Sequence, residues 1–322
     1  MRTIICVVTV LAVQAGALAA PPAEFRAPGD QPAARSGHVL VYDARLLSVI
    51  LVNGDHPTHG KAGEVWAWRG DAWELVDTTG PRPRTLSAAA YDTRRRMLVL
   101  QGGIGPHDKL FRDTQEWDGS AWVRRSKAGP KVRNHHAMVF DEVRGVTVLF
   151  GGQDADIRLK GDTWTWDGVT WTRVATTGPP PRVHHALVYD AGRGTVLLYG
   201  GVNTSGDLSD FWEWDGTAWH EILAGGPGPR AGHRMAYDAA RGVVHLFGGD
   251  SDDHRDWTWD GTNWEPFDGP TPTWRSLHAM AYDAARGRIV LFGGYAGETN
   301  LADTWELADD GWVQVGPPAS AR

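Results

Sequence analysis

The chain has 322 residues, 42% of them hydrophobic, with 32 basic against 39 acidic side chains and a net charge of −7. A negative chain without blocks of lysine and arginine suits neither nucleic acid nor an anionic membrane surface as partner. Its single cysteine, Cys6, excludes a disulfide framework, so stability must come from packing and strand pairing.

The N-terminus reads separately. Arg2 is followed by an apolar run from Thr3 to Val13 and then by small residues. Ala17-Leu18-Ala19 fits the small-x-small pattern of a secretory signal, so residues 1–19 are expected to be a signal peptide, with export to the periplasm or beyond. Pro21 disfavours cleavage after Ala20. The run is too short to span a membrane comfortably and no second one follows, so no membrane insertion is expected after cleavage. Residues 20–33 form a lead segment. Within it Phe25 precedes Arg35 much as Trp171 precedes Arg182, which would suit a stray strand over residues 22–30.

From residue 34 to 315 the chain repeats. Six units cover about 34–80, 81–129, 130–178, 179–226, 227–271 and 272–315, followed by a tail, 316–322. A period of roughly 45–49 residues means an array of like units rather than one irregular core. Each unit opens on an arginine (Arg35, Arg84, Arg133, Arg182, Arg230, Arg275), followed three residues on by His38, Ser87, His136, His185, His233 or His278. An aromatic-Asp pair follows, as in Tyr189-Asp190. Next comes an apolar run ending in two small turn residues: Asn53-Gly54, Gly102-Gly103, Gly151-Gly152, Gly200-Gly201, Gly248-Gly249 and Gly293-Gly294. A tryptophan-rich hairpin closes the unit, as in Trp164-Thr-Trp166-Asp167-Gly168-Val-Thr-Trp171.

Each unit therefore predicts four strands. Strand A is short, as over His185 to Tyr189. Strand B is continuously apolar, as over Val146 to Phe150, which suits a strand buried on both faces. Strand C begins near an aspartate such as Asp162, Asp210 or Asp303, and an Asp-Gly turn leads into strand D. Every tryptophan except Trp274 falls in C or D. One reading of such a stripe is a carbohydrate platform; packing between adjacent sheets explains better why the rings recur in every unit. Four antiparallel strands per unit, six times over, predict an all-β fold, a six-bladed β-propeller of four-stranded antiparallel blades.

The combination of Pro-Arg-x-x-His, an apolar run ending in Gly-Gly, and tryptophan after an Asp-Gly turn resembles the Kelch repeat of galactose-oxidase-like propellers, in its bacterial exported form. The resemblance covers about residues 34–314. Departures at Asn53-Gly54, Arg69-Gly70, Ser87, Gln115 and Leu307 look like tolerated drift. It implies a binding module for a protein or carbohydrate ligand. It also allows a periplasmic mutarotase of sialic-acid type, to which no catalytic residue can be matched, or a structural envelope protein. Copper chemistry of the galactose-oxidase kind would need a tyrosine–cysteine cross-link, and no cysteine lies outside the signal. No His-Glu-x-x-His helix and no Gly-Lys-Ser/Thr phosphate loop occurs.

Alternating strand direction puts the D–A and B–C connections on one face and the short A–B and C–D turns on the other. Long loops on a rigid scaffold are the usual place for binding. The polar B–C loops differ among units and supply His56, His107, Asp154, Asn203, Asp250 and Glu298. The six arginines on the same face admit two readings: a ring holding an anion through bidentate contacts, or six ties to loop carbonyls and to the neighbouring blade's acids, such as that of the aromatic-Asp pair. The recurrent histidines are too dispersed for a metal, which needs ligands converging at about 2 Å. No cofactor is expected.

Overall fold

The computed structural model describes residues 31–56 and 60–316. The predicted signal peptide and the stray strand considered for residues 22–30 lie outside the described residues. The rest forms six four-stranded antiparallel sheets, each drawn from one unit of the repeat in the order A-B-C-D. The A strands are Val39–Asp43, Ala88–Asp92, Ala137–Asp141, Ala186–Asp190, Arg234–Asp238 and Ala279–Asp283. Each touches the A strand on either side, the last meeting the first, so the six enclose a central axis. The fold is a six-bladed β-propeller in which, among the described residues, each blade is continuous in sequence.

Sequence pattern explains the layering. The B strands, such as Ser48–Val52 and Val146–Phe150, lie in mid-sheet with both faces covered, and Val49 to Val52 are fully buried. The last residue of strand C pairs across the Asp-Gly turn with the first of strand D, as in Trp166↔Trp171 and Trp214↔Trp219. Their rings sit 5.5 Å apart in both pairs. Trp68, Trp117, Trp166 and Trp214 are among the most deeply buried side chains. They fill the wedge between blades: Trp219 of the fourth blade meets Phe150 of the third at 5.4 Å, and Trp73 of the first meets Phe292 of the sixth at 5.3 Å. At about 25 cal/mol per Å2, burying an indole of about 200 Å2 is worth about 5 kcal/mol before entropy.

Two sets of polar contacts join blades. In the third position of the Arg-x-x-His motif, six residues form a closed circle of backbone hydrogen bonds. Gly37 donates to Leu277, Leu86 to Gly37, His135 to Leu86, His184 to His135, Gly232 to His184 and Leu277 to Gly232, at 2.9–3.4 Å. Every member has positive φ, including Leu86, His135, His184 and Leu277 at 53–58°. Farther out, the first tryptophan of strand D donates its Nε1 to the residue opening strand C of the preceding blade. The pairs are Trp73 to Thr304, Trp171 to Thr114, Trp219 to Thr163 and Trp312 to Asp256, at 2.7–2.9 Å. Blades 2 and 5 lack this bond because Val65 and Phe211 stand at the acceptor position, leaving the Nε1 atoms of Trp122 and Trp264 buried without a partner among the described residues.

Candidate functional site

The residue after each motif arginine bridges to the residue after each turn pair: Ser36 to Asp55, Thr85 to Ile104, Asn134 to Gln153, Val183 to Val202, Ala231 to Asp250 and Ser276 to Tyr295. The D–A and B–C connections thus share one face, which we call the loop face. On the opposite turn face, the aspartate of each aromatic-Asp pair closes the A–B turn. Asp141 Oδ1 accepts from Arg144 N at 3.0 Å and Asp141 Oδ2 from Arg144 Nη1 at 2.8 Å. The turn arginine then reaches the next blade, as Arg193 Nη2 does to Asp260 O at 3.1 Å.

The six motif arginines are each at most 1% exposed. Arg182 shows the arrangement: its Nε donates to Pro180 O at 2.9 Å, Nη1 to Gly200 O at 2.9 Å, and Nη1 and Nη2 to the two oxygens of Asp210 at 2.5 and 2.6 Å. Arg84 with Asp113, Arg133 with Asp162 and Arg275 with Asp303 repeat the two-pronged contact, and Arg35 reaches Glu64 at 2.5 Å. The carboxylate therefore comes from the same blade, not the neighbouring one as expected, and stands one residue before the threonine position of strand C, whereas the acid of the aromatic-Asp pair serves the turn arginine. Burial alone would raise the Asp210 carboxyl, but the hydrogen bonds and charge of Arg182 outweigh it and hold the group below its usual range. Trp164, Trp212 and Trp305 donate their Nε1 to the same carboxylates, and in blade 2 Gln115 Nε2 does so to Asp113 Oδ2 at 2.8 Å. The departure at Gln115 thus keeps the bond while losing the ring.

Blade 5 deviates. Arg255 stands where the carboxylate should be, and Asp253, two residues earlier, turns back to Arg230 at 3.5 Å. Asp256 takes the threonine position, wholly buried, and desolvation pushes its carboxyl up to about 7 despite the bond from Trp312.

The recurrent histidines are core residues. His38 Nε2 lies 3.1 Å from Phe292 O, and His38, His185, His233 and His278 each meet the last aromatic ring of the preceding B strand edge-on at 5.4–5.7 Å. Burial, followed by the motif arginine, takes His38 and His136 down to about 3, so they are neutral. Among the described residues no group of three or more His, Cys, Asp or Glu is arranged to hold a metal ion.

The B–C loop residues are spread around the rim. His56 lies in a short hairpin, Asp55–His56 with Gly60–Lys61. His107 is exposed in a 3-10 turn, Pro106–Asp108. Asp154 is spent on its own loop, accepting from Asp156 N, Arg158 N and Lys160 Nζ at 3.0, 3.0 and 2.5 Å. In blade 4 the B and C strands run on into a long hairpin, Thr195–Asn203 with Gly206–Trp214, where Asn203 Oδ1 caps Ser205 N at 2.7 Å. Asp250 is exposed, and Glu298 is exposed at the tip of the hairpin Tyr295–Ala296 with Thr299–Asn300. Several B–C loops thus contain paired strands, and each of the six residues belongs to the loop of a different blade.

A site absent from those expectations lies on the axis. A cavity of about 140 Å3 sits beneath the backbone circle, lined by Arg234, His135, His184, Ser87, Leu86 and Leu277 among others, and by no Asp or Glu. The first residues of the A strands are Val39, Ala88, Ala137, Ala186, Arg234 and Ala279. The one arginine in a column of small apolar residues was a legible signal. Its Nη1 donates to His233 O at 2.9 Å, and it has no ion pair among the described residues. Burial lowers Arg234 to about 10, so it stays charged at neutral pH. The His135 and His184 rings meet at 4.2 Å. Desolvation first, then positive neighbours including Arg234, brings them to about 2 and about 4, leaving both neutral. No protein-family model matches the chain, and no curated protein is significantly similar to it in sequence.

Proposed function

We propose that this chain is an exported Kelch-type propeller that works as a non-catalytic binding module, holding a protein or glycan on its loop face. The observation that carries this reading is the contrast between frame and rim. All six motif guanidiniums are spent on carboxylates and carbonyls inside their own blades, so the arginine ring that a carboxylate-handling mutarotase would use is not free. The side chains that vary between units, His107, Asp250 and Glu298 among them, stand exposed on one face of that frame. A rigid repeat carrying variable polar loops is the arrangement from which recognition surfaces are built.

The test is a glycan array and a pull-down from envelope extract. It uses three proteins: wild type, a loop-face variant (His107→Ala, Asp250→Ala, Glu298→Ala) and a turn-face variant (Asp167→Ala, Asp215→Ala). Loss of capture with the loop-face variant and retention with the turn-face variant is expected. The reverse pattern would overturn the assignment.

A further inference from the structure

We propose that the axial cavity is a binding site for a small monocarboxylate, with the guanidinium of Arg234 as its anchor and His135 and His184 as its polar wall. This goes beyond the loop-face reading and does not depend on it.

Three independent features meet at this point. The first is an uncompensated charge. The structure pairs the buried motif arginines, each with a carboxylate, yet among the described residues gives Arg234 a single backbone carbonyl, in a cavity that no acid lines. Arg234 is half-buried in a cavity open to solvent, so its remaining donors face water that an anion from outside the chain can displace. A planar guanidinium with free donors matches a carboxylate through two parallel N–H···O bonds.

The second feature is a pair of imidazoles in the backbone circle. Leu86, His135, His184 and Leu277 all hold φ of 53–58° with a side chain attached, so that cost belongs to the circle, but only blades 3 and 4 place polar rings there. What the chain obtains here is two imidazoles in edge contact beside the arginine. His135 Nδ1 lies 2.5 Å from Asn134 Oδ1, which fixes that ring against rotation.

The third is size and polarity. About 140 Å3 accommodates a few waters or a compact organic acid. One positive charge with two neutral imidazoles balances one negative charge, not two. Ser87, which replaces the core histidine in blade 2, adds a hydroxyl to the lining, and Leu86 and Leu277 give it an apolar side. The class that fits is a short carboxylic acid, with a hydroxyl group accommodated by the imidazoles.

The substitution that tests this is one the repeat itself supplies. Arg234→Ala installs the residue that blades 2, 3, 4 and 6 already carry there, so the variant is expected to fold. His184→Leu likewise installs the residue of blades 2 and 6. Calorimetric titration and thermal melts at constant ionic strength would use acetate, lactate, chloride and sulfate as probes. For wild type, saturable heat and a raised Tm are expected with acetate and lactate, and at most weak effects with chloride and sulfate. Arg234→Ala should weaken acetate and lactate at least tenfold, and His184→Leu should weaken lactate more than acetate. Three results would each overturn the proposal: no saturable effect of either acid on wild type, equal affinity in Arg234→Ala, or equal responses to all four anions, which would mean an adventitious ion only. The loop-face variant should bind acetate as wild type does, so this site and the rim stand or fall separately.

Discussion

Replacing Arg182 by methionine should destabilise the propeller by about 3–5 kcal/mol. The side chain is fully buried and makes four hydrogen bonds, two of them to Asp210 at 2.5 and 2.6 Å. Methionine fills most of the volume but donates nothing. Breaking a buried ion pair from one side costs about 3–5 kcal/mol, because the remaining charge is left uncompensated. Asp210 keeps 21% side-chain exposure and the bond from Trp212, which pulls the charge contribution toward the low end. The carbonyls of Pro180 and Gly200 then add about 1 kcal/mol or more for lost donors. Blade 5 is the internal control: Arg230 reaches its acceptors at 3.3–3.5 Å, so Arg230→Met should cost about half as much. Urea denaturation followed by tryptophan fluorescence measures both. If Arg182→Met falls within about 1 kcal/mol of wild type, or Arg230→Met costs as much, the arginines are not ties of the frame and a ligand role for them reopens.

Gly151→Val should cost more than about 2 kcal/mol, since φ is 72° and an added Cβ would lie 2.6 Å from His185 Cε1; an unchanged urea midpoint would refute it. Trp171→Phe should cost about 1 kcal/mol more than Trp122→Phe, because only the former loses an Nε1 bond, and equal losses would show that bond to be worthless. Asp256 titrates near 7 when folded but near 4 when unfolded, so the folded state binds the extra proton in between. Its contribution to stability is whole below about pH 4 and drains away as pH rises toward about 7. Asp256→Asn should flatten that fall and stabilise the protein above pH 7; a pH profile parallel to wild type would contradict the assignment. The paired aspartates Asp113, Asp162, Asp210 and Asp303 act oppositely, their stabilisation being lost only as pH falls below about 4.

The propeller was legible because its landmarks encode local requirements. The turn pairs need positive φ, which explains even the departure at Asn53, where φ is 65° and asparagine is the side chain that tolerates it. Continuous apolar runs fix the mid-sheet strands, and Asp-Gly fixes the hairpins. The partner of the motif arginine was not legible. Two aspartates recur in every regular unit, and choosing between them depends on where side chains point once strands pair: Asp141 is three residues from Arg144 in a turn, while Asp162 lies 29 residues from Arg133. The loop hairpins were hidden because two-residue strands such as Tyr295–Ala296 are too short to show alternation. Arg234 was visible as an outlier in its column, but only the closed ring of A strands turns that column into the wall of a cavity.

The way the ring is fastened bears on where it may be cut. A propeller whose ends fall between blades has one seam with no covalent link, here between the sixth and first blades. That seam carries three cross-blade bonds, a set matched at the joint between blades 2 and 3: Trp73 to Thr304, Trp68 Nε1 to Glu306 Oε1 at 2.7 Å, and Gly37 to Leu277 in the backbone circle. The joints that lack the strand-D tryptophan bond, between blades 1 and 2 and between blades 4 and 5, are ones the chain itself stitches. A circular permutant that opened the chain between blades 1 and 2 and joined the present ends would shift the unstitched seam onto one of those joints. Six nearly equal units are therefore not interchangeable as starting points, and the repeat opens at a joint that non-covalent bonds hold well.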